Sequence, residues 1–298
     1  MSKRIDPESA KAIRDALQKA PDGVYDLQDS SNVRSFSSPN LGTALKKCLA
    51  RGYQALYMPE LASAQTNVSK DSELFNNFFS TLSLKATGRT KNGNAVVVYA
   101  HAPHYLSDPQ NIQDVIRNKR LVYGAAPIPQ EELDRLLALE GNGRVFVVDA
   151  QECAKWPNGF YGISKPTREH LQIYGGNIDG KEMIARNNPQ IKPFLGGGEE
   201  LVDAYLQYFQ KLYEDQIGIW NADDLEDQAL GRVLFVNIDN DGLDGDIYLG
   251  DIGRFFGVSA GGAQRKNFST NIIPLEERVE DLGQGRIRFK GRVYNLSE

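Results

Sequence analysis

The sequence predicts an α/β fold, a mainly parallel sheet covered by helices on both faces, with a C-terminal β-hairpin. Three observations predict it. Apolar stripes at helical spacing alternate with short, nearly all-apolar runs, which is how strands buried on both faces read. Turn-forming residues such as Asn92-Gly93-Asn94 and Asn142-Gly143 stand just before two of those runs. The chain has 298 residues, 41% of them hydrophobic and 24% charged, enough for a sizeable core and unlike a disordered, collagen-like or disulfide-dense chain.

Taken in order, Asp6 and Pro7 supply a capping oxygen and a proline suited to a first helical position, predicting a helix over 6–20 that Pro21, Asp22 and Gly23 end. A Ser-rich loop runs to Asn40. Leu41, Ala44, Leu45, Cys48 and Leu49 then predict a helix stopped by Gly52, and 53–58 reads as a buried strand ending at Pro59. Leu74, Phe75, Phe78, Phe79 and Leu82 form another helical stripe, followed by a β-branched strand over 95–101. Leu133, Leu136, Leu137 and Leu139 predict a helix before a strand at 145–149. Leu201, Ala204, Tyr205, Phe209 and Leu212 predict one before a strand at 233–238. Polar and apolar residues alternate around Gly291 from Arg286 to Tyr294, a hairpin pattern. With no repeat and no composition break, the reading is one domain over 1–298, with a possible small subdomain at 150–195 where Gly, Pro and Asn are dense.

Lys and Arg number 34 against 39 Asp and Glu, so the net charge of -5 gives no basic excess to favour nucleic acid. The longest apolar run, 95–100, is far short of the roughly 20 residues of a membrane helix, and no export signal is visible near the first residue. A cytoplasmic location is expected. Cys48 and Cys153 lack paired spacing and read as reduced thiols.

In open parallel sheets ligands bind beyond the carboxyl ends of strands. The residues there include His101 and His104, then Asp149 and Glu152, then Asp239 and Asp241. Imidazoles and carboxylates of this kind hold divalent cations. The leading expectation is therefore a divalent-metal-dependent hydrolase of a small anionic molecule, its cofactor Mg, Mn, Ca or Zn. Asp239, Asp241 and His101 are the catalytic candidates, and Asp239, Asp241, His104 and Asp149 the metal ligands. The competing expectation is a non-catalytic binding or protein-interaction module. In it the acidic stretch 221–251 and the basic residues Arg286, Arg288, Lys290 and Arg292 meet partners or each other.

The run 233–243, a strand ending in Asp239-Asn240-Asp241-Gly242, resembles the first motif of haloacid-dehalogenase-type phosphohydrolases. That resemblance implies Asp239 as nucleophile, Asp241 as proton carrier and magnesium as counter-charge. It covers these eleven residues, and the chain after Gly242 is too short for the family's remaining motifs. The alternating carboxylates from Asp239 to Asp251 also suit a cation loop, although Tyr248 stands where an EF-hand would need glutamate. Gly257-Val258-Ser259-Ala260-Gly261 matches a nucleophile elbow, but no histidine follows Ser259 to serve it. Gly196-Gly197-Gly198 reads as the structural start of the helix after it, with Glu199 and Glu200 complementing the helix dipole.

Overall fold

The computed structural model describes residues 24–26, 33–67, 74, 77–150, 167–172, 188, 190–210, 216–221, 227–237, 242–245, 248–259, 280–283, 286–289 and 292–295. The expected helix over 6–20 lies outside them. The first strands are β1 (Val24–Asp26), β2 (Val33–Ser38), β3 (Tyr53–Ala55), β4 (Phe79–Arg89), β5 (Ala95–Ala100), β6 (Ala126–Pro127) and β7 (Val145–Asp149). After them come β8 (Thr167–Gln172), β9 (Gln216–Asn221), β10 (Leu230–Asn237), β11 (Gly242–Gly245) and β12 (Gly253–Ser259). The last three are β13 (Glu280–Gly283), β14 (Arg286–Phe289) and β15 (Arg292–Asn295). The helices are α1 (Leu41–Ala50), α2 (Met58–Thr66), α3 (Pro109–Arg117), α4 (Gln130–Leu137), α5 (Ile191–Leu195) and α6 (Glu199–Gln210).

Local chemistry accounts for the helix ends. The Asn40 side chain accepts from the Thr43 amide at 3.0 Å and opens α1, whose Leu41, Ala44, Leu45 and Cys48 are buried. Pro59 does not end a strand; it stands in the first turn of α2, where its missing N–H leaves no hydrogen bond unmade. Gly196 takes a left-handed φ of 64° and ends α5, so the triple glycine links α5 to α6.

The chain divides into two compact units, Met1–Gln264 and Arg265–Glu298. In the second, β13, β14 and β15 form a three-stranded antiparallel sheet, with Arg286 opposite Asn295 and Phe289 opposite Arg292. In the first, a 12-stranded sheet runs β1-β2-β12-β4-β10-β11-β9-β8. Strand β5 also pairs with β4 and carries β7, while β3 pairs with β12 and β6 with β10.

The mainly parallel α/β sheet is overturned here. Among the described residues the parallel pairings are β11 with β9 and a short β12 to β4 contact at Phe255 and Ser80; the other pairings are antiparallel. The pattern misleads because an apolar run reports burial on two faces, not strand direction. In β5, Val97 and Tyr99 join one core with Met58, Leu61, Phe194, Tyr205 and Phe209, whereas Val98 and Ala100 join another with Leu41, Leu45, Ile112 and Leu133. Strand β10 divides the same way, Leu234 and Val236 against Val233 and Phe235.

Strand β4 corrects the helix expected over Leu74 to Leu82. Its residues from Phe79 to Gly88 are buried, polar ones included, because β5 and β10 flank it and both faces are covered. The hydroxyls are satisfied in place: Thr81 donates to the Leu234 carbonyl at 2.9 Å, and Ser80 accepts from the Arg254 amide at 3.1 Å.

Cys48 packs against Gly257, where an added Cβ would lie 2.7 Å from its Sγ, and desolvation pushes the thiol up to about 12. Native protein at pH 8 should therefore leave Cys48 unmodified by a thiol reagent until the chain unfolds. Mass spectrometry of labelled peptides measures this, and labelling at the rate of a free cysteine would contradict it.

Candidate functional site

His101 follows β5, and its main-chain amide donates to the Arg144 carbonyl at 2.8 Å. Its ring is fully buried. Nε2 lies 2.8 Å from the Pro193 carbonyl, which can only accept, so Nε2 carries the hydrogen. Nδ1 then accepts from the Ser83 hydroxyl at 2.7 Å, and that hydroxyl accepts the Met58 amide at 2.7 Å. One polar chain thus joins α2, β4, β5 and α5. Gly196 allows it, since a Cβ there would lie 2.2 Å from the His101 ring. His104 is held comparably, with Nε2 donating to the Leu82 carbonyl at 2.6 Å and Nδ1 accepting from the Leu106 amide at 3.1 Å.

Both ring lone pairs are therefore engaged within the protein. Burial is the largest cause holding these rings neutral, with His101 lowered to about 3 and His104 to about 4. Beside them, Arg144 Nη1 pairs with Glu60 Oε1 at 2.7 Å, and its guanidinium lies 5.3 Å from the centre of the Tyr57 ring.

Between β5 and β7 the common rim assumed for the hydrolase is not formed. Strands β5 and β7 are antiparallel, with Ala100 opposite Val145 and Val96 opposite Asp149. His101 and Asp149 therefore stand at opposite ends of one ladder, five residues or about 16 Å apart at strand spacing. Asp149 is exposed, and Asp239, Asp241 and Glu152 lie outside the described residues. Among the described residues no group of three or more His, Cys, Asp or Glu could hold a metal ion. The hydrolase and metal-binding descriptions are withdrawn with the parallel sheet on which they rested. Gly257 to Ser259 are likewise strand, Ser259 lying opposite Tyr53 in the β12 to β3 ladder rather than on a strand-to-helix turn.

The structure points instead to the turn Val122 to Ala125. These two residues exchange main-chain hydrogen bonds of 2.9 Å in each direction. Tyr123 and Gly124 between them have φ of 49° and 88°, the doubly left-handed pattern of a type I′ turn. Glycine meets that requirement without strain; tyrosine does not. Tyr123 is held there by main-chain bonding: buried Arg232 on β10 donates from Nη2 to its carbonyl at 2.6 Å, and the Leu249 amide donates to the Gly124 carbonyl at 3.0 Å. Tyr248 packs across Gly124, where a Cβ would come within 2.4 Å of its ring.

The result is a pocket of about 520 Å³ lined by Leu121, Val122, Tyr123, Asp227, Gln228 and Leu230. Tyr123 is 58% exposed and Tyr248 49%. Sequence reasoning missed this site, although Tyr-Gly between two apolar pairs was a usable signal, because a two-residue turn ordinarily takes Asn-Gly or Asp-Gly.

These features define a mixed, mostly antiparallel sheet protein with an aromatic-rimmed pocket at its margin. No protein-family model and no curated protein matches the sequence. A solved structure does, described as the accommodation of massive sequence variation in Nanoarchaeota by the C-type lectin fold. It is 38% identical, with a TM-score of 0.65, over 77% of this chain and 99% of that one. The chain belongs to that C-type lectin-fold family. Among the described residues no helix is long and apolar enough to cross a membrane.

Two outcomes follow from the buried histidines. Because their native pKa values lie below the ordinary value near 6.5, the unfolded chain binds up to two more protons as pH falls below 6.5. Their contribution to stability is complete above that pH and is lost as pH falls toward about 4 and then about 3. Urea midpoints should drop over this range, and less steeply in His101→Gln; an identical slope in that variant would contradict the assignment. Gly196→Ala, forced left-handed and against the ring, should cost about 2 kcal/mol or more, read from the same unfolding curves; an unchanged midpoint would show that His101 does not depend on this approach.

Proposed function

We propose that the protein is a non-catalytic binding module whose ligand sits in the Tyr123 pocket. The observation that carries this reading is the conformation of Tyr123, a large aromatic in a left-handed turn with its ring exposed at the pocket edge. A bulky residue at positive φ costs of order 1–3 kcal/mol, and such strain gathers at sites where function depends on presentation. Exposed aromatic rings supply rigid contact area, which is why tyrosine is enriched in binding hot spots. The C-type lectin-fold neighbour supports the reading, since that fold is described as accommodating massive sequence variation. A small ligand or a protein partner both suit a pocket of this size.

Titration of isotope-labelled full-length protein with monosaccharides and short peptides tests the proposal. Bound ligands should shift the signals of Tyr123, Gln228 and Leu230. Tyr123→Asn, which suits the left-handed turn, should keep the fold and weaken binding about tenfold or more. Shifts confined to other surfaces, or equal affinity in the variant, would overturn it.

A further inference from the structure

The pocket's lining holds one formal charge. Tyr123 gives it an aromatic face, Leu121, Val122 and Leu230 give it apolar surface, and exposed Asp227 gives it a carboxylate. The one basic residue in the sequence from 221 to 251 is Arg232, and its guanidinium is buried and bonded to the Tyr123 carbonyl.

We infer that this pocket recognises an arginine side chain of a partner polypeptide. This rests on reading the pocket as the binding site and adds the chemistry of its occupant. A guanidinium is planar and weakly hydrated, so it stacks on a tyrosine face while its N–H fork donates to a carboxylate. Its propyl stem takes the apolar wall. Lysine offers a point charge on a strongly hydrated head and uses the aromatic face less well. Exposed Lys119 and Arg120 precede Leu121 in the chain. Within a screening length of about 8 Å they disfavour a second positive charge on the ligand. The recognised segment therefore presents one arginine between neutral residues rather than a polybasic run.

The experiment compares two peptides, Ac-Gly-Gly-Arg-Gly-Gly-amide and its citrulline twin, which keeps the shape and removes the charge. Each is titrated into full-length protein by NMR at two salt concentrations. The arginine peptide should bind about fivefold or more tightly than the citrulline peptide and shift the Tyr123 ring signals, with the difference shrinking at high salt. Asp227→Asn should erase the preference, and Tyr123→Ala should weaken the arginine peptide about fivefold or more. Both replaced side chains are exposed, so these variants keep the fold. Equal affinity for the two peptides, or a preference that survives Asp227→Asn, would overturn the inference. If neither peptide moves Tyr123 while another ligand does, the arginine assignment falls and the binding-module reading stands. If no ligand moves Tyr123, both fall.

Discussion

The buried line of hydrogen bonds from Met58 through Ser83 and His101 to Pro193 is the constraint on which the two-sided packing of this sheet depends. It starts at a helix N-terminus, crosses the central strand and ends at a carbonyl of another helix, so four elements share one register. Each member is satisfied by its neighbours, and removing one would strand a buried polar atom at a cost of about 1–3 kcal/mol. A purely apolar contact there would tolerate sliding; directional bonds at 2.7 to 2.8 Å do not.

The adjoining Glu60 and Arg144 pair works differently. Glu60 Oε1 meets the guanidinium, but its Oε2 is buried without a hydrogen-bond partner. Buried ion pairs of this kind add little net stability, yet losing one partner leaves an uncompensated charge worth about 3–5 kcal/mol. The pair therefore opposes other arrangements of α2 against the loop before β7 more than it strengthens this one. Arg232 is a second buried cation put to structural use, its hydrogen bond running from central strand β10 to the turn at the pocket edge.

How far the sequence could be read depended on what each residue type reports. Leu41, Ala44, Leu45 and Cys48 mark a true helix because one face is buried and the other is not. The strand at 145–149 and the helix beginning at Glu199 are equally plain. Strand β4 was illegible because its buried Ser80, Thr81, Ser83 and Lys85 look like a solvated face. Strand β2 was hidden the same way by buried Ser35, Ser37 and Ser38. Strand direction leaves no periodic trace at all, so the wrong sheet topology brought the wrong rim with it. The pocket joins residues near 122 to residues near 228, a pairing that no local pattern can announce.

The turn that carries Tyr123 is gripped almost entirely through main-chain atoms: two reciprocal amide bonds, an amide from Leu249 and a guanidinium on a carbonyl. None of these grips touches the tyrosine ring. Position 123 is thus a socket indifferent to what it displays, limited by the left-handed backbone rather than by packing. A combinatorial library there would change the recognition surface while leaving both cores unread, with glycine, asparagine and aspartate the easiest exchanges and β-branched residues the hardest.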